Sequence, residues 1–271
     1  MRSIVRVGWC PAYGGPVRTI VKERADAPRL FFEAEAAGLR WLGAAERLGG
    51  ARVVRVAEVG PGRIVLERVE DARPTADAAR AFGGALAATH AAGASAFGAP
   101  PGGWDGPLFI GRRPLPAANE PTWGRFYARD RVRPYLDPAV AAGNLSERQR
   151  AVVEAALERV EAGEFDDDEP PARLHGDLWA GNVLWSPGGV VLIDPAAHGG
   201  HRETDLAMLD LFGAPFLDDI LGAYDAARPL RPGWRDRIPL HQLHPLAVHA
   251  AGHGPSYGAA LAEAARATLA L

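Results

Sequence analysis

Asp177, Asn182 and Asp194 carry the chemistry of this 271-residue chain most visibly. Asp177 and Asn182 stand in His175-Gly176-Asp177-Leu178-Trp179-Ala180-Gly181-Asn182, with four residues between them, and Asp194 closes the run Val190-Val191-Leu192-Ile193. A carboxylate and an amide at this distance can do two jobs from one loop. The carboxylate takes the proton of an attacking hydroxyl, and the amide oxygen helps to hold Mg²⁺ beside phosphates. A second carboxylate at a strand end, one short hairpin later, suits a further Mg²⁺ ligand, because this ion takes hard oxygen donors. Each residue alone would be an ordinary turn or strand-end residue. Their order and spacing together predict phosphoryl transfer, with Asp177 as base and Asn182 and Asp194 as metal ligands.

The Asp-x₄-Asn spacing is that of a kinase catalytic loop. A kinase-like arrangement also needs a cation on the nucleotide phosphates. Of the 30 basic residues, Lys22 is the one lysine, and the other 29 are arginine. A composition that has replaced lysine almost everywhere singles out a position that needs a compact ammonium rather than a planar guanidinium. Lys22 ends the alternating, β-branched run Val17–Lys22, which reads as a strand. Glu35 follows on a predicted helix and can pair with it; Glu33 is the alternative, and the apolar face through Leu39 and Leu42 favours Glu35. Glu67 to Val69 is expected to form a hinge whose backbone meets adenine. The segment Val7–Gly15 occupies the place of a Gly-rich loop but lacks G-x-G-x-x-G and contains Pro11, and Asp194 is followed by Pro195-Ala196 rather than Phe-Gly.

The elements that must position these residues are legible in outline. A helix is predicted from about Arg29 to Leu48, ended by Gly49-Gly50, and a hairpin over Val53–Val59 and Arg63–Val69 turns at Gly60-Pro61-Gly62. Thr75–Ala91 is Ala-rich and helical, 93–121 reads as a long Gly- and Pro-rich loop, and Trp123–Tyr135 as a helix. Ser146 caps a further helix to about Ala162. The acidic run Glu164–Glu169 reads as a solvated loop without function. From about Thr204 the pattern is helical, broken near Pro215 and between Pro229 and Gly233.

Composition narrows the class. Hydrophobic residues make up 48% and charged residues 23%, enough apolar material for a sizeable core. A net charge of −3 with scattered basic residues disfavours nucleic acid and anionic membranes as partners. No apolar run reaches the ~18 residues of a membrane helix, and the N-terminus lacks the layout of a signal peptide. The expectation is a cytoplasmic protein. Cys10 is the one cysteine, so no internal disulfide can form, and an inert thiol is expected.

H-G-D-L-W-A-G-N (175–182), V-L-I-D-P-A (191–196), G-H-R-E-T-D-L-A-M (200–208) and F-E-A-E-A-A-G-L (32–39) resemble the fructosamine/ketosamine kinase family, related to the aminoglycoside phosphotransferases, over nearly the whole chain from Val17. The resemblance implies an α+β, two-lobed protein-kinase-like fold. A small β-rich nucleotide-binding lobe with one long helix spans 1–69, and a mainly helical catalytic and substrate lobe spans 70–271. It implies ATP and Mg²⁺ as cofactors and a ketosamine or other glycated amine as acceptor at its 3-hydroxyl. Asp177 would be the base, Asn182 and Asp194 would bind metal, and Lys22 with Glu35 would orient phosphates. Trp179, His198, His201 and Arg202 would shape the acceptor pocket, while Asp205 would brace the catalytic loop. The altered Gly-rich loop leaves open a catalytically weak nucleotide-binding protein, against which the full Asp–Asn–Asp set argues, and two other enzymatic readings stay open. One is an aminoglycoside or choline-type phosphotransferase, which shares the Asp–Asn–Asp set. The other is a metal-dependent hydrolase built on His241, His244, His249 and His253, of which His249 and His253 are four apart, while Pro245 is expected to interrupt the helix.

Overall fold

The computed structural model describes residues 4–10 and 17–271. Residues 11–16, most of the expected Gly-rich loop, and the Cys10 thiol lie outside the described residues. The β-branched runs of the first seventy residues form one antiparallel sheet, where such side chains pack well on a pleated surface. β1 (Ile4–Cys10), β2 (Val17–Glu23), β3 (Val56–Gly60) and β4 (Arg63–Glu67) stand in the order β1-β2-β4-β3. Gly62 makes the β3–β4 turn with φ 71°, a conformation that costs other residues dearly. α1 (Phe31–Gly43) buries Phe32, Ala36, Leu39 and Leu42. The expected single helix to Leu48 changes pitch at Ala44, and its last turn ends at Gly49 in the left-handed conformation.

The remainder is mainly helical. α2 (Ala76–Ala91) is capped by the Thr75 hydroxyl, which accepts from the Ala78 amide. The stretch read as a featureless loop holds a small hairpin, β5 (Leu108–Ile110) and β6 (Arg113–Leu115). α3 (Trp123–Phe126) runs on through a wider π turn and a tighter turn to Tyr135, and Pro134, which has no amide hydrogen, sits in that last turn. α4 (Leu136–Ala141) follows, and α5 (Glu147–Glu161) opens with a reciprocal Ser146–Gln149 capping box. β7 (Ala172–Leu174) leads into the loop 175–179 and a single helical turn at Ala180–Asn182. The hairpin of β8 (Val183–Ser186) and β9 (Gly189–Leu192) returns the chain to Asp194. β10 (His198–Gly200) pairs with β7. Four helices finish the fold: α6 (Arg202–Phe212), α7 (Leu217–Ala227), α8 (Ile238–Ala250) and α9 (Pro255–Leu269). α8 runs unbroken across Pro245, contrary to the sequence expectation.

The two lobes share apolar contacts. One buried cluster joins Phe32, Leu39 and Leu42 of α1 and Ile64 of β4 to Leu86 of α2, Leu192 of β9 and Ile220 and Tyr224 of α7. Backbone bonds reinforce the join: the Val54 amide donates to Leu192 O and the Leu192 amide to Arg52 O, both at 2.9 Å. No helix among the described residues is long and apolar enough to cross a membrane.

Candidate active site

The catalytic loop is held from both ends. Asp205, near the start of α6 and fully buried, accepts the His175 amide at 2.7 Å and the Gly176 amide at 3.0 Å, and His90 of α2 lies 3.2 Å from it. Burial would raise this carboxyl's pKa, but the His90 contact, the charges of His90 and His175 and the amide of Gly176 outweigh it and hold it below the usual range. The His175 ring spans the loop, with Nε2 2.9 Å from Ile193 O and Nδ1 accepting the Asp177 amide at 3.3 Å. Gly176 has φ 79°, and a Cβ there would strike Ala196 O, so both shape and space require glycine.

The loop and hairpin bring the three singled-out residues together. Asn182 Nδ2 donates to Asp177 O at 2.7 Å and to Asp177 Oδ2 at 3.0 Å. Its amide nitrogen is thereby used, which leaves Oδ1 as an oxygen donor for a cation. Asp194 has φ 54°, a left-handed conformation that aspartate tolerates better than most residues and that is found at strained functional positions. Lys22 Nζ bonds Glu35 Oε1 at 2.9 Å and is ion-paired with Asp194. Both carboxylates outweigh burial and raise the Lys22 pKa, so the ammonium stays charged. Glu33 lies elsewhere, in a depression behind α1 with Arg40 and Trp41.

Asp177 differs from the other carboxylates here. Burial is the main cause that pushes its pKa up to about 7, against the Asn182 hydrogen bond and with the Asp194 charge adding to the rise. A half-buried carboxyl with no cation among its hydrogen-bond partners, facing a cavity, is poised to exchange a proton near neutral pH.

That cavity, of about 420 Å³, is lined by Lys22, Glu35, Asp177, Trp179, Asn182 and Asp194 on its polar side and by Phe31, Phe32, Leu108, Phe109 and Pro195 on the other. Phe109 comes from the unforeseen β5–β6 hairpin and packs on Phe31 with ring centroids 5.3 Å apart, while Arg112 of the same hairpin pairs with Asp26 across the lobes at 3.5 Å. The signal for this wall was present in Leu108-Phe109-Ile110, but Pro114 in the returning strand argues against a strand by sequence rules. A second cavity of about 360 Å³ meets the first at Lys22 and Asp194 and is lined by Ile20, Leu66, Glu67, Val69, Leu184 and Ile193. It lies beside the backbone that follows β4, and its wall mixes these aliphatic groups with the charged side chains of Lys22, Glu67, Arg68, Asp71 and Asp194.

A model of the fructosamine kinase family matches residues 12–270. This chain belongs to the fructosamine kinase family. A Thermobifida fusca protein assigned as a fructosamine-3-kinase is 43% identical and superposes with a TM-score of 0.87 over 99% of this chain and 95% of that one. An Enterococcus faecium protein assigned as a ketoamine kinase is 34% identical over 88% of this chain and 83% of its own length. The aminoglycoside phosphotransferase APH(4)-Ia, 15% identical, shares the fold with a TM-score of 0.61 over 98% of this chain and 90% of that one. The fructosamine kinase fold is thus the two-lobed, kinase-like α+β fold expected from the sequence, and the family makes this chain an ATP-dependent phosphotransferase.

Three expected acceptor residues are not in the cleft of this family member. His198 is buried, with Nδ1 2.8 Å from Ala196 O and Nε2 accepting from Arg131 at 3.2 Å. His201 caps α6 and faces Asp167. Arg202 donates to Arg228 O and Pro229 O and pairs with Glu169. The G-H-R-E stretch is structural because β10 and the start of α6 point these side chains into the helical lobe. The acidic run is likewise not a solvated loop: Asp167 and Glu169 are the partners of those buried groups. Among the described residues one set of possible metal donors gathers, His201, Glu203 and His241. Its glutamate already takes two bonds from Arg237, at 2.6 and 3.0 Å, so a guanidinium fills the cationic place. His249 and His253 lie tilted with ring centroids 5.0 Å apart, with no third donor gathered beside them among the described residues.

Proposed function

We propose that the protein transfers the terminal phosphate of Mg²⁺-bound ATP to a hydroxyl of a ketosamine, the 3-hydroxyl of the sugar portion. Asp177 takes the hydroxyl proton. Asn182 Oδ1 and the Asp194 carboxylate would hold Mg²⁺, which neutralises phosphate charge when bound. Lys22, steadied by Glu35, meets the phosphates, and the backbone of Glu67–Val69 meets adenine. Trp179 borders the acceptor.

The observation that carries this reading is the cavity that faces Asp177. Its acidic residues are Glu35, Asp177 and Asp194, each already engaged with Lys22 or Asn182, and its remaining wall is aromatic and aliphatic. A polycationic aminoglycoside or a choline would need further carboxylates or a closed aromatic box. A sugar adduct with an apolar extension matches the wall better. Phosphate transfer measured over ketosamines, aminoglycosides and choline tests it, with the product position read by ³¹P and ¹³C NMR. Turnover of ketosamines with phosphate on the 3-hydroxyl is expected, and turnover of aminoglycosides or choline in their place would overturn the reading.

A further inference from the structure

Trp179 leaves the cleft unfinished. Its side chain lines the cavity, yet the residue is 42% exposed, unusual for so large an apolar group. The indole lies across Gly181, and the missing side chain there leaves room for the ring.

From that ring an unbroken series of aromatic contacts leads outward over the helical lobe. Phe212, the last residue of α6, meets Trp179 edge to face with centroids 6.1 Å apart. His249 of α8 lies 5.0 Å from Phe212, and Tyr257 of α9 lies 4.9 Å from His249. Phe212, His249 and Tyr257 are all partly exposed, so the rings form a strip rather than a core. His249 Nδ1 donates to Pro245 O at 2.7 Å, and burial lowers its pKa, which keeps the ring neutral. The strip therefore offers π faces without net charge. Tyr257 also rests against the buried core of the helical lobe, but its ring and those of Phe212 and His249 keep part of their surface in solvent.

The acceptor must enter with its hydroxyl at Asp177 and its nitrogen substituent toward the mouth, where Trp179 stands. We infer that Trp179, Phe212, His249 and Tyr257 form a platform for that substituent, and that the enzyme favours ketosamines whose amine carries an aromatic or long apolar group. The inference rests on the ketosamine reading above and adds Phe212, His249 and Tyr257 as specificity-determining residues. An aromatic substituent laid on two such rings gains the energy of one or two aromatic pairs, about tenfold in affinity.

The test compares KM for the fructose adducts of methylamine and phenethylamine at saturating Mg²⁺-ATP. In the wild type KM for the phenethylamine adduct is expected to be about tenfold lower, with kcat changed by less than about twofold, because the interaction is the same in ground and transition states. Phe212→Ala should shrink that ratio to about two. Phe212→Leu, which keeps apolar volume at the helix end, should leave an intermediate ratio, and thermal melting confirms that both variants fold. A wild-type ratio near one, or a full ratio in folded Phe212→Ala, would overturn the platform while leaving the ketosamine assignment intact. Absence of turnover with either adduct, in enzyme that still binds ATP, would instead remove the assignment and the platform with it.

Discussion

Helix α6 separates two groups of charged side chains that share the same residue types and behave in opposite ways. Asp205, on the helix, braces the loop that carries Asp177. Three and two residues earlier, Arg202 and Glu203 belong to a second group with Asp167, Glu169, His201, Arg228, Arg231, Arg237 and His241. Asp177 and Glu203 make the contrast plain. Both are largely removed from water, yet the pKa of Asp177 is pushed up to about 7 while that of Glu203 is held down at about 2. Burial raises both. Glu203 then receives the His241 ring and two bonds from Arg237, which reverse the effect, whereas Asp177 has an amide and no cation. A carboxylate matched by a guanidinium is finished structure. One left unmatched beside a cavity is, in the proposed function, the group that takes the substrate proton.

The largest expected effect breaks this contrast on the catalytic side. Asp177→Asn preserves size and the Asn182 contact but removes the base, and kcat should fall by about 10³ with melting temperature undiminished. A variant that retained activity, or that unfolded like a core mutant, would place Asp177 in the structural group. The next effect falls on the other side. Glu203→Ala leaves Arg237 and His241 without their partner and should cost about 3 kcal/mol, read as a melting temperature lower by several degrees, while kcat of the folded enzyme stays within about twofold. Loss of kcat without loss of stability would mean that the second group serves catalysis after all.

The two groups were not equally legible in the sequence. Asp177, Asn182 and Asp194 lie within eighteen residues on one loop and one hairpin, so local spacing fixes their approach, and Lys22 stood out by its rarity. The second group is assembled over long separations: Glu169 meets Arg202 and Arg228, and Glu203 meets Arg237 and His241. No spacing rule announces such partners, so the acidic run looked solvated and His198, His201 and Arg202 looked like cleft residues. The sequence shows that these side chains sit near the catalytic motif but not which way β10 and α6 turn them. The β5–β6 hairpin was hidden for a different reason. Its strands are three residues long, one contains a proline, and it is held by Phe31 and Asp26 from the other lobe rather than by its own propensity.

Stability against pH separates the two carboxylates by sign, in enzyme free of Mg²⁺ and nucleotide. Glu203 has a folded pKa below its ordinary 4.5, so its contribution is present above pH 4.5 and is lost as pH falls toward 2. Asp177 has a folded pKa above its ordinary 3.8, so folding favours its protonated form: its contribution is full below 3.8 and is lost as pH rises through 7. Glu203→Gln should therefore flatten the acid side of the melting curve below pH 4.5 and destabilise at pH 7. Asp177→Asn should do the reverse, raising the melting temperature at pH 8 and leaving it nearly unchanged at pH 4. Added Mg²⁺-ATP should then reduce the advantage of Asp177→Asn, because a nearby cation stabilises the ionised carboxylate that the variant lacks. Parallel melting curves for the two variants would show that both carboxylates are matched by cations, and the distinction between a finished network and a waiting site would fail at its most direct measurement.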